Sequence, residues 1–356
     1  MKPKVYFFPK YTPSGPSSRI RIYQYLAKIE DSFTVEVFPL LPDSYIDSIY
    51  NGSAFGAFQI LRCYAIRLYT ILFFIKKGSC VFIEKELFPY LPGWIEKILL
   101  RRLNVILDYD DATYHVYDES RSFLVRMLLG KKIGKIITTS KFVICGNAYL
   151  ASYALEYVAH DKVIIIPSTY DGGAFVEATA RAKRGVTRVG WIGNPGSQDV
   201  LWPILPVLEE LSKELRFEVV LIGVNSASFE EFDVQAEEWS LRRERSLLES
   251  LDIGIMPLQD VPFQRGKCAF KLIQYMAAGL PVVCSPVGVN TDVVDHGETG
   301  FLAETSTDWQ KYLSILVKDE EIRRAMGCKG KIKFDQNYSI DVGADLVRGV
   351  IARAVA

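Results

Sequence analysis

Residues 251–303 constrain the fold of this chain more than any other stretch. They read LDIGIMPLQDVPFQRGKCAFKLIQYMAAGLPVVCSPVGVNTDVVDHGETGFLA. Two short apolar runs, 252–256 and 281–284, have the length of buried strands and flank a helical segment expected to begin near Ala269. Leu272, Ile273, Met276 and Ala277 recur at helical spacing, so one face of that segment is apolar and suited to packing on a sheet. Gly279-Leu280-Pro281 then stops the helix, glycine just past its end and proline barring continuation. The loop before it, 259–268, carries Arg265, Gly266 and Lys267. A glycine between two cations at the mouth of a helix suits a phosphate, because free N–H groups and the helix dipole favour an anion. A solvated surface loop would show the same residues. A second glycine-bearing turn, 286–290, follows the next strand, and loops at adjacent strand ends are where open α/β sheets hold ligands.

The segments DIGIMPL, RGK, KLIQYMAAGLPVV, SPVGVN and HGETGFLA, in that order and at that spacing, resemble the donor half of a GT-B glycosyltransferase of family 4, the glycosyl transferases group 1. The resemblance implies an α/β chain of two Rossmann-like, doubly wound domains facing a central cleft. Residues 1–170 would be the acceptor-side domain and 171–339 the nucleotide-sugar donor domain. The terminal helix, 340–356, would cross back to the first domain.

At 356 residues the chain exceeds one ordinary core, which agrees with two domains. A net charge of zero argues against a nucleic-acid binder. The halves differ: residues 1–170 hold 21 Lys/Arg against 15 Asp/Glu, and the second half reverses the excess. A basic first half suits an anionic partner surface. Six scattered cysteines lack metal-ligand or disulfide spacing and read as reduced thiols in a cytoplasmic protein. The N-terminus has no signal-peptide pattern.

In chain order, a first strand near 5–8 leads into Ser14-Gly15-Pro16-Ser17-Ser18 and a helix starting near Arg19. This is a doubly wound opening without G-x-G-x-x-G, so no dinucleotide site is expected. The segment 57–77 mixes aromatic and aliphatic residues with Arg62, Arg67, Lys76 and Lys77. Its longest uncharged run, 68–75, is short of the ~20 residues a spanning helix needs, and the composition suits either an anionic bilayer surface or a core helix. Glu84 and Glu86, then Asp108, Asp110 and Asp111, stand at successive strand ends as an expected acidic wall. Asp108-Tyr109-Asp110 has the spelling of a D-x-D metal motif, but that motif belongs to a different architecture, and capping or hydroxyl binding is the expected role. His115 receives no catalytic role. Basic residues around 121–135 read as a solvated helix face or a membrane-facing patch.

The second domain opens with a strand near 188–192, the turn Gly193-Asn194-Pro195-Gly196-Ser197 and an amphipathic helix near 202–215. The resemblance implies that Gly193, Asn194 and Ser197 meet the donor diphosphate, that Gly288, Val289 and Asn290 lie along donor sugar and phosphates, and that the base rests near 239–241. It also implies that Gly15 and Arg19 approach the donor phosphate or the acceptor, although a helix-capping turn with a surface arginine would show the same residues. From their strand-end positions, Glu86, Asp110 and Asp111 are expected on the acceptor side. The family pattern carries two glutamates eight positions apart, where this chain has Gly266 and Gln274. It also places an Arg and a Lys after the first glycine turn, where this chain has Asn194 and Gln198. Gln274 can still bind ribose hydroxyls through its amide. Arg265, Lys267 and Lys271 are read as replacement cations that stabilise the leaving diphosphate.

The resulting expectation is a retaining, metal-independent glycosyltransferase with no cofactor beyond its nucleotide-diphosphate sugar donor. A glycan or lipid-linked acceptor, a role in cell-surface polysaccharide assembly and a place at the inner face of a membrane complete it. The alternative is a non-catalytic nucleotide-sugar-binding or partner subunit of the same shape.

Overall fold

The computed structural model describes residues 2–50, 53–173, 175 and 185–356. Residues 174 and 176–184, inside the expected donor domain, lie outside the described residues. The chain divides into two compact units: Met1–Thr169 with Arg265–Cys268 and Ile340–Ala356, and Tyr170–Gln264 with Ala269–Ser339.

The first unit is built on a parallel sheet in the order β2-β1-β3-β4-β5-β6. Its strands are Lys4–Phe8, Thr34–Val37, Cys80–Glu84, Asn104–Tyr109, Phe142–Cys145 and Val163–Ile165, taken as β1 to β6. Helices cover both faces, so the central strands β3 and β5 are buried at every position and are apolar up to their carboxyl ends rather than alternating with polar residues. Tyr6, Phe8, Val81, Ile83, Val105 and Leu107 pack on one face with Ile71, Leu100, Leu129 and Ile133. Val5, Phe7, Phe82, Ile106 and Ile144 pack on the other with Ile22, Tyr25 and Ile29, and with Val347 and Ile351 of the terminal helix Ile340–Val355.

The second unit repeats the design in the order β12-β11-β10-β7-β8-β9. Its strands are Thr187–Ile192, Phe217–Ile222, Gln235–Glu237, Ile253–Met256, Val282–Cys284 and Gly300–Leu302, taken as β7 to β12. The helix between β10 and β11, Phe270–Ala277, buries Leu272, Ile273, Tyr275 and Met276 completely.

Right-handed crossovers make the helices change face where strand order reverses, and a crevice opens there at the carboxyl ends of the strands. The reversal falls between β1 and β3 in the first unit and between β7 and β10 in the second.

Three local departures from the sequence expectations have simple causes. β9 (QAE) and β12 (GFL) are three-residue strands too short to show an apolar pattern, and only their neighbours define them. The loop after β10 contains a short helix, Pro262–Arg265. Residues 57–74 form one unbroken helical run, Ala57–Tyr69 continuing into wider turns at Thr70–Phe74. By length and composition alone that run is long and apolar enough to cross a membrane, because Arg62 and Arg67 are outweighed by the surrounding Ile, Leu, Phe and Tyr.

Candidate functional site

In the first unit the reversal point is occupied by a dense polar network. Gly15 precedes the helical turns that begin at Pro16, and its backbone passes so close to Tyr11 that an added Cβ would lie 2.4 Å from the tyrosine Cβ. This close approach requires glycine. It brings Ser17 and Ser18 over the end of β3. Ser17 Oγ lies 2.7 Å from both Glu84 Oε1 and Asp110 Oδ2, sharing its one proton between two carboxylates. Ser18 Oγ and the Lys10 N–H donate to Glu84 Oε2. Arg19 is half-buried just beyond.

Lys85, in the left-handed region at φ 63°, turns its ammonium to Asp110 Oδ1 at 2.8 Å and Asp111 Oδ2 at 3.6 Å. A lysine held in that conformation at a strand end is the kind of local strain that collects at functional sites. Burial alone would raise the Asp110 pKa, but Lys85 and Arg21 outweigh it and hold the carboxyl at about 2. Asp110 is therefore ionised at neutral pH.

The expected acidic wall is corrected by this structure. Glu84, Glu86 and Asp108 are all buried. Asp108 is clasped by Arg21, Nε to Oδ2 at 2.9 Å and Nη2 to Oδ1 at 2.6 Å, an arrangement that binds β4 to the first helix. Glu86 accepts from the Tyr117 hydroxyl at 2.7 and 2.9 Å and pairs with buried Lys132. A buried carboxylate without such partners would be too costly to keep ionised, so these groups brace the fold. Asp110 and Asp111 are the half-exposed members. Both carboxylates of the D-x-D spelling are thus taken by protein cations.

The segment Arg265–Cys268 belongs by its contacts to the first unit. Asn147 caps the helix Ala148–Leu155 with its side-chain oxygen. Its amide Nδ2 donates to the carbonyls of Gly266 at 3.1 Å and Lys267 at 2.9 Å. Burial keeps the Cys268 thiol pKa well above its ordinary value, and Sγ–H donates to the Asp110 carbonyl at 3.0 Å. Gly266 is buried against Ala112, while Arg265 is exposed and Lys267 half-buried. Residue-type spacing held no sign of Lys85, Ser17 or Asn147 as members of this cluster. Lys85 and Ser17 stand beside residues that were singled out, but their partners lie on other strands.

Elsewhere in the first unit a cleft of about 590 Å³ is lined by Tyr114, His115, Arg126, Lys131, Tyr149 and Tyr153 among others. Tyr114 and Tyr153 stack at 3.7 Å between centroids. His115 bridges Asp118 Oδ1 and the Tyr149 hydroxyl, each at 2.9 Å.

In the second unit the same topology places two loops together. Gly193 follows β7 and its N–H donates to the Ile222 carbonyl at 2.9 Å. A Cβ there would lie 2.0 Å from the Trp191 ring, so only glycine fits. Asn194 caps the turns Pro195–Leu201, its N–H donating to Ser197 Oγ at 3.3 Å. Gln198 is buried and accepts from the Asn225 N–H, so it braces the neighbouring loop. Lys271 sits on the first turn of the helix Phe270–Ala277, its Nζ 5.0 Å from the centre of the Trp191 ring. Gln274, one turn later, is buried. The helix begins after Ala269, another non-glycine residue in the left-handed region, at φ 51°.

Gly288 adopts φ 55° in the turn after β11. Val289 leads into Asn290–Val293, and Asn290, buried, donates to the Ser285 carbonyl at 3.0 Å. Asn290 therefore shapes the turn. Trp239, expected near a nucleotide base, donates from its indole N–H to Glu244 at 3.0 Å.

Residues 183–319 match the family model described as glycosyl transferases group 1. No curated protein matches the chain by sequence. Among solved structures, sucrose-phosphate synthase from Thermosynechococcus elongatus superimposes with a TM-score of 0.72 at 13% identity, covering 99% of this chain and 100% of that one. HepE of Anabaena in complex with UDP-glucose gives 0.70 at 11% identity, covering 98% and 99%. A UDP-forming α,α-trehalose-phosphate synthase from Burkholderia xenovorans gives 0.69 at 11% identity with full coverage of both. At these identities the structural likeness establishes the fold. The chain has the GT-B fold, and residues 183–319, mostly within its second unit, are similar to the glycosyl transferases group 1.

Proposed function

We propose that this protein transfers a sugar from a nucleotide-diphosphate donor to an acceptor hydroxyl. The observation that carries the reading is that the group 1 match spans both loops at the reversal of the second sheet, the Gly193 turn and the segment through Asn290. In the reaction the acceptor oxygen bonds to the anomeric carbon as the bond from that carbon to the donor phosphate breaks. The diphosphate leaves with the electron pair, and the acceptor proton passes to a donor phosphate oxygen. Lys271, Lys267 and Arg265 supply positive charge to the leaving group, and fixed cations of this kind act most strongly as charge develops. The Gly193–Ser197 turn and Gly288–Asn290 hold phosphates and sugar, and Gln274 holds ribose.

Retention at the anomeric carbon, independence of added metal and a glycan or lipid-linked acceptor in cell-surface assembly are parts of the same proposal. So is a cytoplasmic site at the inner face of the membrane. HepE was solved with UDP-glucose and the trehalose-phosphate synthase is UDP-forming, which makes the uridine series the first donors to try.

One observation favours a second reading, a nucleotide-sugar-binding subunit without turnover. Gly266 stands where the family pattern has a carboxylate, and Ala112 leaves no room for a side chain there. A thermal-shift panel of UDP, GDP, CMP and dTDP sugars, followed by assay of free nucleotide released from the donor that binds, separates the two. Saturation at a hundredfold excess over Kd adds about 2.7 kcal/mol of stability. Binding with release supports transfer, binding without release under any acceptor supports the subunit, and no binding overturns both.

A further inference from the structure

The first unit carries an exposed apolar layer that the proposed chemistry does not use. The helical run 57–74, the helix Gly93–Leu100 and the helix Phe123–Leu129 all send residues into the core on one face of the sheet. Their opposite sides are exposed and strongly apolar, with Phe58 80% exposed and Phe73 73%, and Leu61, Trp94, Leu124 and Met127 likewise open. Large apolar side chains exposed in this number on helices of one sheet face mark an interaction site.

Charge identifies the partner. From Ala57 to Leu107 the carboxylates are Glu84, Glu86 and Glu96, and all three are buried. Arg62, Lys76, Lys77, Lys97 and Arg101 in the same stretch are exposed. The outer side of the first two helices therefore presents aromatic and aliphatic groups bordered by cations. Arg121, Arg126 and Lys131 add positive charge around the third, where Asp118 and Glu119 lie at its N-terminal approach, a balance that complements an anionic bilayer surface.

The run 57–74 lies along that surface rather than crossing it. Arg67, at its middle, is buried and donates to the carbonyls of Pro9, Phe38 and Leu87. Tyr64 donates to the Pro89 carbonyl at 2.7 Å, and Ile71 is in the core. Withdrawing the helix into lipid would strip Arg67 of these partners and open the core.

We propose that this three-helix face inserts into the headgroup region of an anionic membrane and anchors the first unit there. The inference rests on and deepens the proposed place at the inner face of a membrane, but it does not depend on catalysis, and its test needs no turnover. The full chain is floated with phosphatidylcholine vesicles with and without phosphatidylglycerol, at low and high salt. Wild type should float with the anionic vesicles and be released by salt. L61S/F73S/M127S, at exposed positions that do not hold the core, should weaken partitioning about tenfold or more. K76Q/K77Q/K97Q should abolish the preference for phosphatidylglycerol. Trp94 is the lone tryptophan before Trp191, so brominated lipid tails should quench wild-type emission and not that of Trp94→Phe. Absence of flotation, or flotation unchanged in both variants, overturns the proposal. So does a wild-type dimer in solution that L61S/F73S/M127S converts to monomer, because a second copy would then be the occupant.

Discussion

A Cβ built on Gly266 would lie 2.5 Å from the Cβ of Ala112 and 2.8 Å from its backbone nitrogen. The position is closed to any side chain unless backbone moves, and the flanking carbonyls of 266 and 267 are tied to Asn147. Replacing Gly266 with alanine should destabilise the protein by about 1–3 kcal/mol through overpacking. The glutamate of the family pattern should cost more and should not raise activity. Thermal melts and donor turnover of G266A and G266E check both statements. A stable, more active G266E would show that the segment can reposition freely.

Arg21 and Asp108 form a fully buried pair whose loss of one member leaves an isolated charge. Arg21→Met should cost about 3–5 kcal/mol in denaturant unfolding, whereas the double change with Asp108→Leu should recover much of that. Equal losses in the single and double variants would show that packing, not charge, dominates the site.

Glu96 sets a pH dependence of stability. Burial, together with repulsion from Glu86, outweighs Lys132 and raises its pKa to about 7 from 4.5. The folded state then holds a proton that the unfolded chain has released, so this contribution to stability falls as pH rises from about 4.5 to about 7. Asp110 acts in the opposite sense, its stabilisation being lost as pH falls from about 3.8 towards 2. Denaturation midpoints measured across pH should show a slope between 4.5 and 7 that Glu96→Gln flattens. An unchanged slope would place the titrating group elsewhere.

Lys267 and Lys271 are expected to act on the leaving diphosphate. Each alanine variant should lower kcat by roughly a hundredfold, since one fixed stabilising group is worth a few kcal/mol in the transition state. The fall should appear in kcat more than in KM. Near-full activity in both variants would remove these lysines from the mechanism. A change confined to Lys271, whose Nζ lies over Trp191, would assign the role to the helix entrance alone.

Much of the fold could be read from local pattern, because buried parallel strands are continuous apolar runs and the helices between them repeat at 3.6 residues. The run before Gly279-Leu280-Pro281 and the Gly193 turn carry their structure in their own residues. Glycine there answers to a neighbour within a few positions, Trp191 for Gly193. The nature of the acidic residues was not legible in this way. Glu84, Glu86 and Asp108 share the strand-end spacing of ligand-binding carboxylates, and only the approach of Ser18, Lys132 and Arg21 from distant parts of the chain turns them into buried braces. Lys85 likewise becomes the partner of Asp110 and Asp111 only when β3 and β4 pair. The amphipathic stretch 57–74 is the same case in reverse. Its composition admitted either a core helix or a membrane surface, and the tertiary structure decided which side is buried by pinning Arg67 to three carbonyls and leaving Phe58 and Phe73 outside. Sequence determines what each segment can form, because that depends on neighbours along the chain. Which charges are neutralised and which apolar faces stay open depends on residues brought together across it.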